Sequence, residues 1–166
     1  LGGRIMLPGF IDCHTHFLQM GLSLSYLDLR GTESIEEVLE KLDSRIKETE
    51  KGEWIIGCQW DESKWLERCY ITRYDIDKVS PDNPVVLRRM DGHLWVVNTK
   101  GLEVAGIPDD DPGLEKDTGK PTGLLRWGAK NYVGKCIYPS RKEMMKGLKL
   151  AVNEALENGV TSVNEL

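Results

Sequence analysis

The sequence predicts an α/β fold, in which strands and amphipathic helices alternate along the chain. Three observations favour it. The run from Ile5 to Phe17 is rich in apolar residues and predicts a buried strand. Residues 32–51 and 140–158 carry apolar side chains at the three- and four-residue spacing of a helical face. The second helix leads directly into a predicted strand, Val160–Leu166, and such a helix-to-strand step is typical of α/β architecture.

Both predicted helices begin with residues suited to capping their free backbone N–H groups. Ser140 and Glu143 have the spacing of a capping box, in which each side chain accepts a hydrogen bond from the other's backbone N–H. Ser34 and Glu37 have the same spacing, but Thr32 is a competing N-cap two residues earlier.

In the middle of the chain the sequence predicts a hairpin, then a surface loop and then a helix. Asp91-Gly92 separates two strand-like runs, Pro84–Met90 and His93–Val97, and this dipeptide is a strong hairpin signal. Residues 108–121 are acidic and rich in turn formers, which predicts a surface loop. We expect no calcium site there, because the spacing of the acids does not fit an EF-hand loop. Residues 123–134 predict a helix.

Composition places the chain among ordinary globular proteins. Of its 166 residues, 40% are hydrophobic and 30% are charged, and the formal net charge is −5. This charge argues against a nucleic-acid partner, because phosphate binding requires a clustered basic surface. We expect no membrane association, because no apolar run is long enough to cross a bilayer and no signal peptide is visible.

The four cysteines indicate a cytoplasmic protein. They are widely and irregularly spaced, and no two of them form a Cys-x-x-Cys pair, which supports neither a zinc knuckle nor a thioredoxin-like motif. We expect four reduced and mostly buried thiols, the usual state of cysteine in the cytoplasm.

The residues most informative about function lie in the first predicted strand. Alternate side chains of a strand share a face, which places Asp12, His14 and His16 together. Two imidazoles at this spacing can bind one divalent ion with little distortion of the backbone. Three polar groups on one face of a buried strand are costly unless they bind something, and a metal ion would offset that cost. A His-x-His pair alone is a weak signal, because many occur by chance.

The residues around this pair make the signal specific. The string Pro8-Gly9-Phe10-Ile11-Asp12-Cys13-His14-Thr15-His16 resembles the first-strand signature of the amidohydrolase superfamily. Six further segments, in the same order along the chain, resemble the YtcJ-like branch (amidohydrolase family 3): Trp60-Asp61, Asp77–Val85, Asp91-Gly92-His93, Val97-Asn98, Pro121-Thr122-Gly123 and Gly159–Val163. The resemblance spans nearly the whole chain, and the ordered series is more specific than any one motif.

The resemblance implies a partial (βα)8 TIM barrel of the metal-dependent hydrolase type, with an inserted α+β subdomain after the first strand. We therefore expect residues 1–17 to form the first barrel strand, 18–138 the insertion, and 139–166 a helix and the next barrel strand. A complete barrel needs roughly 250 residues, so we expect an N-terminal fragment with the remainder of the barrel absent. Half a barrel leaves two sheet edges unpaired, and unless the insertion covers them, such edges favour either self-association, as in a homo-oligomer, or disorder.

The resemblance also implies roles for individual residues. His14 and His16 match the two metal ligands at the end of the first barrel strand, and Asp12 matches an acid that supports them without binding the ion. The family's other ligands, a carboxylated lysine and two further histidines, lie on later strands, as does the aspartate that serves as general base. The general base is therefore absent from this chain, which alone is expected to be inactive. Zinc is the expected ion, with one or two ions in the complete protein.

Two interpretations of His93 stay open. It is either a strand residue beside a hairpin turn, or a residue that the insertion presents to the substrate, as the resemblance favours. Trp60 and Asp61 more often close the edge of a core than contact a substrate. Trp127 stands where relatives often have an acid, and Asn164 where a histidine is common, so substrate specificity does not carry over.

The sequence thus predicts a metal-dependent hydrolase that cleaves a C–N bond in a small amide or formamide-like substrate through a metal-activated water. One alternative is a non-catalytic module, in which the inserted subdomain binds a ligand or partner. Another is a scaffold that kept the barrel and lost its metal. The first strand favours the hydrolase over the module, because a binding module does not need Asp12, His14 and His16 on one buried face.

Overall fold

The computed structural model describes residue 2 and residues 5–166, which form eight strands, six α-helices and two short 3₁₀ helices, Glu62–Lys64 and Trp127–Ala129. In chain order these elements are β1 (Phe10–Thr15), α1 (Phe17–Ser23), β2 (Leu27–Asp28), α2 (Ile35–Lys47), β3 (Ile55–Trp60), α3 (Arg73–Ile76), β4 (Val85–Arg89), β5 (Trp95–Val97), α4 (Thr99–Ala105), β6 (Leu114–Asp117), β7 (Lys120–Leu125), α5 (Lys130–Cys136), α6 (Arg141–Glu157) and β8 (Val160–Glu165). The mixed α/β class is confirmed. No helix in the described part of the chain is both long and apolar enough to span a membrane.

Contacts between residues divide the chain into two units. Leu1–Ser25 and Pro139–Leu166 form the terminal unit, and Tyr26–Tyr138 form the central unit. The first boundary therefore lies after Ser25, whereas we expected the insertion to begin at residue 18. Helix α1 accounts for the difference, because it packs against α6 and so belongs to the terminal unit.

In the terminal unit, β1 and β8 pair in parallel and α1 packs against α6. Phe10 lies opposite Val160, and Asp12 opposite Val163. The two helices meet at glycines: a β-carbon on Gly21 would lie 2.0 Å from the backbone oxygen of Gly147. The backbones can approach this closely only because neither position carries a side chain.

The predicted helix starts are confirmed in part. At α6, Ser140 Oγ accepts a hydrogen bond from Glu143 N (3.3 Å), and Glu143 Oε2 accepts one from Ser140 N (2.7 Å), which completes the capping box. At α2, Ser34 rather than Thr32 is the N-cap, and its Oγ accepts a hydrogen bond from Glu37 N.

The first strand is shorter and more exposed than predicted. It covers Phe10–Thr15 rather than residues 5–17, and Phe10 and Ile11 are 58% and 64% exposed. The expectation of a buried strand is therefore wrong for this chain. Among the described residues β1 has one neighbouring strand, β8, so its other edge and much of its surface remain in contact with solvent.

The central unit is built on a six-stranded sheet of order β2-β3-β4-β5-β7-β6. The first three strands are parallel and are connected through α2 and α3, whereas the others pair in an antiparallel manner. The hairpin predicted at Asp91-Gly92 is confirmed, because it joins the antiparallel strands β4 and β5.

Apolar side chains cover both faces of this sheet. Val85 and Leu87 belong to a cluster that includes residues of α2 and α3, whereas Val86, between them on β4, belongs to a second cluster with α5. This alternation is the two-residue period of a strand that is buried on both sides.

Residues 108–134, predicted as a loop and a helix, instead contain a second hairpin. β6 and β7 pair in an antiparallel manner, and α5 begins only at Lys130. Gly123 explains why the helix does not start earlier. Its φ is +91°, and a β-carbon there would lie 2.3 Å from the backbone oxygen of Val97, so the position requires glycine in a close strand-to-strand approach.

The four cysteines are free, but three of them, Cys13, Cys69 and Cys136, are exposed. The expectation of mostly buried thiols is therefore wrong. Cys58 alone among them is buried, and desolvation raises the pKa of its thiol.

Candidate metal centre

His14 and His16 lie at the carboxyl end of β1, where the strand turns into α1. Asp12 and His14 are alternate residues of the strand, but His16 has left it and is the N-cap residue of α1 (φ −101°, ψ 71°). The predicted common strand face therefore holds for Asp12 and His14 and not for His16. The two imidazoles nevertheless lie close together, with ring centroids 6.4 Å apart and ring planes inclined by 66°.

This spacing allows the two rings to share one ion after a small side-chain adjustment. Zn–N bonds of about 2.0–2.1 Å and tetrahedral angles place two liganding rings roughly 5 Å apart. Both side chains are exposed, so rotation about their χ angles meets little resistance. Among residues 2 and 5–166, no group of three or more His, Cys, Asp or Glu side chains is placed to hold an ion. The two histidines thus fit two ligands of a divalent-metal site.

Asp12 is bonded to the backbone of the strand that carries the histidines. Its Oδ1 accepts a hydrogen bond from His14 N at 3.1 Å. This bond fixes the carboxylate beside the peptide that precedes His14. It is compatible with the supporting role expected for Asp12.

Glu165, which the sequence did not point to, holds the backbone on the other side of the histidine pair. It is the parallel partner of Thr15, and its Oε2 accepts a hydrogen bond from Phe17 N, the first residue after His16. The only signal available in the sequence was an acid at the carboxyl end of a predicted strand. Its relevance depended on β8 pairing with β1, since ligands of α/β sheets gather at the carboxyl ends of neighbouring strands.

His93 is exposed and lies in the turn of the β4–β5 hairpin rather than in a strand. Its backbone N donates to Asp91 Oδ1 (2.8 Å), while Arg89 donates to Asp91 Oδ2 (2.6 Å) and, through two nitrogens, to Glu62 (both 2.8 Å). Burial tends to raise the pKa of Asp91, but the hydrogen bonds from His93 N and Arg89 outweigh it and hold that pKa below the usual range of an aspartate. An ionised Asp91 therefore anchors the turn that presents the His93 imidazole.

Trp60 and Asp61 have structural roles. Trp60 is fully buried and stacks on Trp65, with ring centroids 5.4 Å apart. Asp61 caps the short 3₁₀ turn Glu62–Lys64, where its Oδ1 accepts hydrogen bonds from the backbone N and the hydroxyl of Ser63. These contacts agree with the interpretation that the pair closes the edge of a core.

Comparison with known proteins identifies the family. The model of the amidohydrolase family called Amidohydro_3 matches residues 1–166. YtcJ of Bacillus subtilis strain 168, which is an amidohydrolase by name, is 35% identical over 97% of this chain. The chain belongs to the amidohydrolase family. The resemblance inferred from the first-strand signature is thereby confirmed.

Two further curated proteins and two solved structures are similar to the chain. Protein LONG AFTER FAR-RED 3 of Arabidopsis thaliana is 34% identical over 100% of the chain, and N-substituted formamide deformylase of Arthrobacter pascens is 28% identical over 99%. Crystal structures of uncharacterised metal-dependent hydrolases from Pyrococcus horikoshii OT3 and Pyrococcus furiosus have TM-scores of 0.71 and 0.69, at 27% and 29% identity over 96% of the chain.

The chain spans about a third of the length of these relatives. It covers 32% of YtcJ, 30% of LONG AFTER FAR-RED 3 and 33% of the deformylase, and 31% and 32% of the two Pyrococcus chains. The comparisons thus support the hydrolase class for this chain, and its structural neighbours are metal-dependent hydrolases.

Proposed function

We propose that the complete protein is a metal-dependent hydrolase that cleaves the C–N bond of a small amide or formamide-like substrate. The observation that carries this proposal is the pair of imidazoles at the carboxyl end of β1, His14 and His16, with ring centroids 6.4 Å apart. Membership of the amidohydrolase family supports it, and the similarity to N-substituted formamide deformylase supports the formamide-like class of substrate.

In this proposal the terminal unit contributes part of a (βα)8 barrel and the central unit is its inserted subdomain. β1 and β8 are then neighbouring barrel strands, in accord with their parallel pairing. Their carboxyl ends carry the site, as in barrels of this kind.

His14 and His16 hold the ion, for which we propose zinc, as one or two ions in the complete protein. When bound, such an ion lowers the pKa of a water molecule toward neutrality and polarises the carbonyl of the substrate. Asp12 and Glu165 fix the backbone on either side of the histidine pair through His14 N and Phe17 N. His93 orients the substrate from its exposed turn, and a residue outside this chain acts as general base.

The test is the metal content of the complete protein, measured by elemental analysis beside a His14→Ala/His16→Ala double variant. We expect at least one divalent ion per chain in the wild type and its loss in the double variant. His93→Ala is the matched control, because it removes the third histidine of the chain and should keep the metal while turnover of N-formyl compounds falls.

Two results would contradict the proposal. An ion retained by the double variant would show that His14 and His16 are not ligands. A wild-type protein without metal, even after zinc loading, would remove the hydrolase assignment and favour a non-catalytic ligand- or partner-binding module.

A further inference from the structure

A cavity lies within the central unit, at the edge of the sheet where its parallel strands end. Strands β2, β3 and β4 run side by side in the same direction, so the segments that follow them leave the sheet at one edge. The cavity there has a volume of about 190 Å³, and its walls include Leu29, Arg30, Gln59, Asp61, Lys64 and Met90. Ligands of open α/β sheets bind outside the carboxyl ends of the strands, which is the place of this cavity.

Gln59 lines the cavity from a strained point of β3. Its φ is +73°, in a region that residues other than glycine rarely adopt. The pairing of β3 with β4 also shifts register between Cys58 and Trp60, and an irregularity of this kind redirects a side chain and is frequent beside binding sites. Among the described residues, the side-chain amide of Gln59 has no hydrogen-bond partner. Its N–H and C=O groups are therefore available to a ligand.

Asp61 and Lys64 bring opposite charges to the cavity without a hydrogen bond between them. The structural role of Asp61 occupies only its Oδ1, which accepts from Ser63. Its Oδ2 lies 3.8 Å from Lys64 Nζ, beyond the about 2.7–2.9 Å of a charge-assisted hydrogen bond. Within the part of the chain that the structure describes, neither Oδ2 nor Nζ makes a hydrogen bond. Both atoms can therefore bind a ligand.

Arg30 also lines the cavity, but its charge is already balanced. It donates three side-chain hydrogen bonds to the carboxylate of Asp28. The cavity is thus left with the negative charge of Asp61 and the positive charge of Lys64. A ligand with a single charge matches only one of the two, whereas a ligand with an ammonium beside a carboxylate matches both.

We infer that this cavity binds a small α-amino acid in its zwitterionic form. The ammonium donates to Asp61 Oδ2 and to the side-chain oxygen of Gln59, and the carboxylate accepts from Lys64 Nζ. Standard bond lengths place the nitrogen of an α-amino acid roughly 3 Å from a carboxylate oxygen, so the four charges alternate in sign around the site. At the roughly 30 Å³ that one water molecule occupies, the cavity has room for about six non-hydrogen atoms, the number in alanine.

The test is calorimetric titration of the complete protein with L-alanine and with two analogues that each lack one charge. Propionate has no ammonium, and L-alaninamide has no carboxylate. We expect the wild type to bind L-alanine roughly 10- to 100-fold more tightly than either analogue, the range of a hydrogen bond to a charged group.

Two variants examine the two ends of the ligand separately. Asp61→Asn keeps an oxygen that can accept from Ser63, and it should abolish the preference for L-alanine over propionate but not that over L-alaninamide. Lys64→Gln, at an exposed side chain, should have the opposite effect. Asp117→Asn is the matched control, because it makes the same change at an exposed acid on the opposite edge of the sheet, and it should keep both preferences. Each preference is a ratio measured on one protein preparation, so partial misfolding of a variant does not alter it.

The inference concerns the central unit alone and does not rest on the proposed function. The His14→Ala/His16→Ala double variant should bind L-alanine as the wild type does, because both histidines lie outside this unit. Loss of binding in the double variant would show that the amino acid binds the ion, which would overturn the inference. A wild type that does not bind L-alanine, or that binds all three compounds equally, would also overturn it. So would preferences that stay unchanged in Asp61→Asn and Lys64→Gln.

Discussion

Replacing Gly21 by alanine should destabilise the terminal unit, although alanine is the better helix former. Gly21 lies inside α1, where it faces α6. Its added β-carbon would lie 2.0 Å from Gly147 O, 2.6 Å from Gly147 C and 2.9 Å from the β-carbon of Ala151. Two of these atoms belong to the backbone, so no side-chain rotation relieves the overlap.

The size of the effect follows from two opposing contributions. β-Carbons essentially never come within 3.0 Å of such atoms, so α1 and α6 must separate by about 1 Å. Overpacking of this kind costs about 1–3 kcal/mol, and a backbone clash places it near the upper value. Exchanging glycine for alanine in a helix returns about 1 kcal/mol. We therefore expect a net loss of about 2 kcal/mol in the stability of the α1–α6 pair.

Native-state hydrogen exchange of the amides in α1 and α6 measures this loss locally. A cost of about 2 kcal/mol corresponds to roughly 30-fold faster exchange in these helices. Gly134→Ala is the control: it lies in α5, nothing is within 4 Å of its added β-carbon, and it should slow exchange in α5. Unchanged or slower exchange in α1 and α6 of Gly21→Ala would refute the close helix approach.

Two further predictions concern the acids that anchor the site residues. Glu165→Gln should weaken zinc binding by the complete protein several-fold in a chelator competition, because a neutral amide oxygen accepts more weakly from Phe17 N than a carboxylate does. The control is Glu157→Gln, which changes an exposed acid at the end of α6 and should leave the zinc affinity unchanged. Equal zinc affinities of the wild type and both variants would contradict the role of Glu165. Asp91 has a lowered pKa in the folded state, so its stabilising effect is present above the ordinary aspartate pKa and is lost as pH falls through the lower folded value. Asp91→Asn should thus lower the free energy of unfolding at neutral pH. Measured by urea unfolding from pH 2 to 7, this free energy should fall less steeply toward acid pH in the variant than in the wild type. An unchanged pH profile would contradict the anchoring of the turn.

Features that depend on residues close in sequence could be predicted. The Ser140–Glu143 capping box and the hairpin at Asp91-Gly92 each involve a few consecutive residues, and local chemistry determines both. The proximity of His14 and His16 was predicted for the same reason, although His16 proved to be the N-cap of α1 and not a strand residue.

Features that depend on distant pairing could not be predicted. β7 forms where local sequence favoured a helix, because Gly123 takes a positive φ and lies against Val97 of another strand. Glu165 became relevant only through the pairing of β8 with β1, across most of the chain.

The parallel pairing of β1 with β8 sets an order of events during synthesis. β1 leaves the ribosome first, but its partner strand exists only after residues 26–138 have been translated. If those residues stayed unfolded, closing so long a loop would carry a large entropic cost and slow the pairing. Folding of the central unit during translation removes that cost. Until β8 has been translated, the edge of β1 that later pairs with it has no partner, and the backbone N–H and C=O groups along that edge are open to other unpaired strands or to chaperones.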